Sequence, residues 1–461
     1  MKPLSLEEIR EAIHGHWLSI GAPAMVSGIT TDTRTAKPGE LFFAIRGERF
    51  DGHMFLTQAA QTGCVSSVVC LDGEPRPEIA GQFRGGLIGV PDSTKALGDI
   101  AAANRASLTG TVVAVTGSNG KTTVKRMIEH VLSRRLSGKC SPKSYNNRIG
   151  VPLTLLSADG GDQYVICELG SSAPGEIETL AAIAQPGVAV ITNVAETHLE
   201  KLVSLEKVAA EKASLLGRLL PDGLAVVWAD NPILTRLSKS YGRRAVTFGA
   251  SKSADLRLTG YQSKGRAQRL QVNGREWINL PLPGTHNAMN ALAAIAVAQR
   301  FGFSQSDAGE ALADFTGEQM RLEWTDCGRI SLINDAYNAN PASMLAAAEV
   351  LSDQAGPRRV LIAGDMGELG NQSQQLHLRT GKQIAVTRVD LLIGVGPLGR
   401  YIAEGAAEAG LATADFDTVE DAAVAMAGLL KPGDVALVKA SRVVRMERLV
   451  EVLCREFADR T

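Results

Sequence analysis

The sequence predicts an α/β protein built as three units. Three observations carry this. A chain of 461 residues is too long for one hydrophobic core. Between about residues 85 and 317 short apolar strands alternate with helix-like stretches, the pattern of a parallel sheet covered by helices. From about residue 318 a second series of the same kind begins. The expected division is therefore 1–84, 85–317 and 318–461.

The first unit opens on MKPLSLEEIREAIHG, which reads as an acidic amphipathic helix rather than a basic secretion leader. A turn-rich stretch, SGITTDTRTAKPGELFFAIRGERFDGHMF, leads to a helix-like segment and the apolar strand Val65 to Leu71, and Pro75 and Pro77 then punctuate the chain. The central unit carries the strands TVVAVTG, QYVICELG, GVAVITNV and LAVVWAD. Between Asp255 and Leu282 the residues alternate, with turns near Ser263 to Gly265 and Asn273 to Gly274, which predicts an antiparallel addition at the sheet edge. The third unit repeats the strand-then-helix rhythm through ISLINDAY, RRVLIAGDM, VDLLIGVG and DVALVKA, a Rossmann-like series.

Composition narrows the function classes. Lysine plus arginine (48) nearly cancels aspartate plus glutamate (49), so the overall charge points to neither nucleic acid nor an anionic membrane surface. The longest purely apolar run, Ala291 to Ala298, is well short of the ~18 residues that cross a bilayer. The six cysteines (Cys64, Cys70, Cys140, Cys167, Cys327 and Cys454) lack CxxC spacing, which predicts reduced core thiols in a cytoplasm rather than zinc or disulfide sites.

The most informative local feature is the strand TVVAVTG running straight into SNGKTTVKRMIEHVL. Thr116, Gly117, Ser118, Asn119 and Gly120 form the turn; Lys121, Thr122 and Thr123 open the helix. Backbone N–H groups at such a turn and the positive end of the helix favour phosphate, Lys121 can reach terminal phosphates, and the Thr122 hydroxyl can ligate magnesium. Val115 stands where the common pattern has glycine, so the loop is a variant ATP cradle. Glu168, at the end of the strand YVIC, suits a metal ligand better than a core position. His198, after the strand VAVIT, reads equally well as a packing histidine. A competing signal lies in LLIGVGPLGRYIAEG: Gly394, Gly396 and Gly399 between a strand and a helix, with Asp415 beyond, fit a dinucleotide fingerprint.

Taken in order, TGSNGKTT, CELG, TNVAETHLE, EKASLL (211–216), GTHNAMNALAA (284–294), RLEW (321–324) and DAYNANPASM (335–344) resemble the Mur ligase family of ATP-dependent enzymes of peptidoglycan precursor synthesis. The segment from Thr31 to Phe55, SYNNRIGVPLTLL (144–156) and GDMGELG (364–370) are similar to the member that adds D-alanyl-D-alanine to UDP-N-acetylmuramoyl-tripeptide. The diaminopimelate-adding neighbour carries Asp-Asn-Pro-Arg in its last domain, whereas the Asp-Asn-Pro here, Asp230 to Pro232, is followed by Ile233 in the central unit.

The resemblance implies a UDP-binding first domain, a P-loop ATPase-like central domain and a Rossmann-like ligase domain. It makes Lys121, Lys212, His198 and Arg321 catalytic. Thr122 and Glu168 would hold one Mg2+, with Glu168, His198 and Lys212 holding a second. Lys212, by residue type an ordinary solvated helix lysine, would carry a carbamate. Asn287 and Asn290 would face adenine, Arg321 the γ-phosphate and Asp335 the ribose. Thr31, Asp32, Thr33 and Arg34 would meet the UDP moiety, although each reads equally as a plain polar turn. Asn146 and Asn147 would touch the muramoyl peptide or phosphates, and Lys439, Ser441 and Arg442 the far side of the cleft. A cytoplasmic monomer is implied, with neither nucleic acid nor membrane as partner. A dehydrogenase, a P-loop kinase or switch, and a folylpolyglutamate synthase are the rival readings.

Overall fold

The computed structural model describes residues 1–47, 50–73, 79 and 81–458. Pro75 and Pro77 lie outside them. A five-stranded sheet, in the order His16–Ile20, Gly86–Val90, Ser66–Cys70, Glu40–Phe43 and Gly28–Thr30, forms the first unit; its first pair is antiparallel and the rest parallel. The strand Gly86–Val90 lies inside this sheet, beyond the expected division between residues 84 and 85. Its five residues are all buried, and that apolar run reads the same whichever sheet receives it.

The central sheet has nine strands, ordered Trp277–Leu280, Ala267–Val272, Leu256–Lys264, Ala245–Gly249, Leu224–Trp228, Val188–Ile191, Thr111–Thr116, Tyr164–Glu168 and Gly138–Cys140. The first three are joined antiparallel, as the alternation between Asp255 and Leu282 predicts. The others run parallel, and their buried β-branched runs suit strands covered on both faces. Thr111–Thr116 sits where the order reverses: the chain goes to one side for Tyr164–Glu168 and to the other for Val188–Ile191. A crevice outside the carboxyl ends of strands is expected at such a switch point.

The third sheet has six strands, ordered Glu323–Cys327, Ile330–Asn334, Val435–Lys439, Arg359–Gly364, Leu391–Val395 and Thr413–Phe416, antiparallel only at the first pair. The helix Glu447–Phe457 packs beside this edge pair and brings Cys454 to Cys327, with Cα atoms 4.7 Å apart. The two cysteines are 127 residues apart, so their spacing carries no signal of this approach. Cys64, Cys70, Cys140 and Cys167 are free. Among the described residues no helix is long and apolar enough to cross a membrane.

Candidate active site

The switch-point crevice opens into a cleft of about 590 Å³ walled by the central and third units. Its floor is the phosphate loop. Gly117 (φ 147°) and Gly120 (φ 78°) take left-handed backbone conformations. A Cβ on Gly117 would collide with Thr192 Oγ1, and one on Gly120 with Asn290 Oδ1. The loop is tied down on all sides. Thr116 Oγ1 donates to Leu169 O at 2.8 Å, Ser118 Oγ to Ala195 O at 3.1 Å, and Asn193 Oδ1 accepts from the Asn119 N–H at 2.8 Å. Gly120 then caps the helix Lys121–Leu132, whose exposed N–H groups face the cleft with Thr122 and Thr123.

Lys121 Nζ donates to Gly117 O at 2.8 Å. Burial pushes its ammonium pKa down, Glu168 pulls it up and Arg321 adds to the lowering. Thr122 stands at the centre: its hydroxyl donates to Glu168 Oε2 at 2.9 Å and accepts from Arg321 Nη2 at 3.1 Å. Glu168 is 1% exposed, accepts from Asn146 Nδ2 at 2.9 Å and lies 3.6 Å from the buried Lys125 ammonium. A carboxylate and a hydroxyl side by side at a phosphate-binding loop are the oxygen donors a hard divalent cation takes, so these residues fit magnesium.

The walls come from farther along the chain. Asn287 and Asn290, both buried, line the cleft from the helix Thr285–Arg300; Asn287 Nδ2 donates to Pro283 O at 2.7 Å and its Oδ1 accepts from Asn290 Nδ2 at 3.0 Å. Arg321 lies over the Tyr337 ring, 4.1 Å from its centroid. Asp335 Oδ2 pairs with Lys439 Nζ at 2.5 Å, and Lys439 also donates to Asn338 O at 2.9 Å. His286 and Tyr337 are cleft residues that the motifs did not single out. Burial lowers the His286 pKa to about 4, so its ring is neutral at pH 7. Its place one helical turn before Asn290 was the available signal.

Other expected site residues are placed differently. His198 lies in the cleft, yet its Nδ1 meets Glu368 Oε2 at 2.5 Å, near enough for an ion pair though poorly angled for a hydrogen bond. His198 holds the Glu368 carboxyl below its ordinary pKa. Among the described residues no three histidine, cysteine, aspartate or glutamate side chains gather as a metal site. Glu168 and His198 both line the cleft, with the imidazole engaged by Glu368. Lys212 is 1% exposed, which overturns its reading as a solvated helix lysine. Its Nζ donates to Ser171 Oγ at 2.6 Å, and Ser171 lines the cleft. Burial, then the neighbouring Lys121 charge, lowers its pKa to about 7.

Asn147 reaches the cleft, but its Oδ1 accepts from the Ile149 and Gly150 N–H groups and starts the helix Gly150–Leu156. Thr31, Asp32, Thr33 and Arg34 lie on the first unit and are not among the residues lining the cleft. Arg34 pairs with Asp32 at 2.6 Å, and Thr33 donates to Gln58 at 2.9 Å. Ser441 Oγ accepts from the Gly367 N–H at 2.7 Å, while Arg442 is an exposed side chain paired with Glu447.

The glycine fingerprint of the third unit is also explained. Asp365 Oδ1 accepts from the N–H groups of Leu398 at 2.9 Å and Gly399 at 2.7 Å, and a Cβ on Gly396 would stand 2.6 Å from it. A carboxylate of the chain itself thus occupies the helix N-terminus where a dinucleotide would place its pyrophosphate.

Comparison with known proteins gives the same picture. Three family descriptions match in succession: Mur ligase family, catalytic domain, over residues 25–105; Mur ligase middle domain over 115–298; and Mur ligase, glutamate ligase domain, over 320–442. The UDP-N-acetylmuramoyl-tripeptide--D-alanyl-D-alanine ligase of Bacillus subtilis is 36% identical over 93% of each chain, and that of Synechocystis 34% over 98% of each. A crystal structure of MurF from Acinetobacter baumannii superposes with a TM-score of 0.89 at 31% identity over 99% of both chains. A MurF ligase from Thermotoga maritima in complex with ADP gives 0.81 at 26% identity, over 94% of this chain and 98% of that one.

Proposed function

The chain belongs to the Mur ligase family, and from that membership and the cleft we infer that it is an ATP-dependent, ADP-forming ligase joining D-alanyl-D-alanine to UDP-N-acetylmuramoyl-tripeptide. The observation that carries this reading is the convergence on Thr122, where the phosphate loop, Glu168 and Arg321 meet between two units.

An unactivated carboxylate is a poor electrophile at neutral pH. Transfer of the ATP γ-phosphoryl group to the terminal carboxylate of the tripeptide gives an acyl phosphate; the amine of D-alanyl-D-alanine then attacks, and phosphate leaves from the tetrahedral intermediate. Lys121 and Arg321 place positive charge about the transferring group, and the loop N–H groups fix it in line. Asn287, Asn290 and His286 offer hydrogen-bonding edges to the base, and Asp335 accepts from the ribose. Thr122 and Glu168 would hold magnesium, which when bound neutralises phosphate oxygens. A carbamate on Lys212 would add an anionic oxygen for a second ion, toward which Glu168 and His198 would also contribute.

Thr31, Asp32, Thr33 and Arg34 are assigned to the UDP moiety, and Asn146 and Asn147 to the muramoyl peptide or phosphates. We place the end of the first unit near Val90 and the start of the third near 318. The protein works as a cytoplasmic monomer in this reading. Phosphate release, measured with each precursor and each amine singly and together, tests it. Turnover should require both UDP-N-acetylmuramoyl-tripeptide and D-alanyl-D-alanine; faster turnover with a precursor plus free diaminopimelate would overturn the assignment.

A further inference from the structure

Asn119 does more than line the phosphate loop. Its backbone is held within the central unit, the N–H by Asn193 Oδ1 at 2.8 Å and the carbonyl by the Thr192 hydroxyl at 2.5 Å. Its side chain points away, into the third unit, where it exchanges two hydrogen bonds with Asn340. Asn119 Nδ2 donates to Asn340 Oδ1 at 3.3 Å, and Asn340 Nδ2 donates to Asn119 Oδ1 at 2.6 Å.

Asn340 is 5% exposed and is itself fixed: its Oδ1 caps the helix Pro341–Ser352 by accepting the Ser343 N–H at 2.9 Å. Two primary carboxamides facing one another satisfy a donor and an acceptor on each side through separate atoms, which a carboxylate or an ammonium cannot do. The Asn340 side chain is already held by the Ser343 N–H and the Asn119 backbone by Asn193 and Thr192, so less freedom is left to lose when they join.

We propose that the Asn119–Asn340 amide pair is a latch that ties the phosphate loop to the third unit, making Asn340 a positioning residue for phosphoryl transfer. The pair forms only when the third unit lies against the loop. It therefore links the seating of nucleotide phosphates to the approach of Arg321 and Lys439, which the third unit carries. The role rests on the ligase reading for the reaction it serves, but not for the contact itself.

The test is a double-mutant cycle on the full chain with Asn119→Ala, Asn340→Ser and the double variant; serine keeps a hydroxyl cap for the helix but is too short to reach residue 119. Each single variant should lower kcat about tenfold, the size of one or two neutral hydrogen bonds, and the double variant should fall no further. The ADP dissociation constant of Asn340→Ser, read by calorimetry without other substrates, should stay within about twofold, because the latch acts on closure rather than on first binding. Small-angle scattering with adenylyl imidodiphosphate and the tripeptide precursor should show contraction in the parent chain and less in the variants.

Wild-type kcat in either single variant, or a double variant equal to the product of the singles, would overturn the latch. Should Asn340→Ser lose thermal stability, Asn340→Asp replaces it: the carboxylate keeps the cap and the acceptor but loses the donor, and kcat should fall about threefold. If the parent chain made no amide bond while the scattering difference persisted, the ligase reading would fall and the latch would stand.

Discussion

Lys212 offers the most demanding test of the site. An unperturbed lysine, with a reference pKa of 10.5, is neutral for roughly one molecule in a thousand at pH 7.5; lowered to about 7, it is neutral for roughly three in four. Burial and the Lys121 charge thus shift the side chain strongly toward its neutral, reactive amine. Carbon dioxide adds to such an amine with loss of one proton, and the product is an anionic oxygen ligand in place of a cation. The sign follows from the lowered pKa: the reactive form is present above about pH 7 and is lost as the pH falls through it.

Lys212→Ala should therefore lower kcat at least about a hundredfold, with partial recovery on adding formate or acetate, which fit the vacated space. Lys212→Arg should not recover, since guanidinium stays charged. Lys212→Met should melt no earlier than the parent, because it removes a buried amine rather than an apolar contact. The assays are phosphate release across pH 6 to 9 in carbon-dioxide-depleted and bicarbonate-supplied buffer, beside thermal melts. Full activity of Lys212→Ala or Lys212→Arg in depleted buffer would refute the reasoning.

Lys121→Ala should keep its melting temperature within about two degrees while turnover falls by orders of magnitude, since the ammonium bonds only to loop carbonyls; near-normal phosphate release would remove the cradle assignment. Glu168→Gln should raise the magnesium concentration needed for half-maximal rate at least tenfold, read by metal titration, because an amide keeps the Thr122 contact but loses the charge. Asp365→Ala should destabilise the chain by about 1–2 kcal/mol, as two helix N–H groups lose their acceptor; an unchanged melting curve would contradict the contact.

What the sequence made legible was local. The strand-to-helix turn at Gly117 and Gly120, the buried parallel strands and the antiparallel edge from Leu256 to Leu280 all follow from patterns within one segment. Residues whose meaning depends on a distant partner were harder. Glu368 captures His198 across 170 positions, and Tyr337 Oη donates to Ser144 at 2.6 Å from another unit. The strand Gly86–Val90 shows the same limit, because an apolar run does not announce which sheet it joins. Lys212 shows it most plainly, since burial and the field of Lys121 are properties of the folded chain alone.

The carboxylate of Asp365 also bears on how pattern searches mislead. A binding site is usually thought lost when its glycines are replaced, yet here all three remain and the helix end still attracts negative charge. The seat is filled instead by a group tethered a few ångströms away. Being part of the same fold, it reaches those N–H groups without the loss of translational freedom that a free dinucleotide would meet. With that helix end already satisfied by Asp365, the third unit's part in nucleotide binding falls to Arg321 and Asp335 in the cleft it shares with its neighbour.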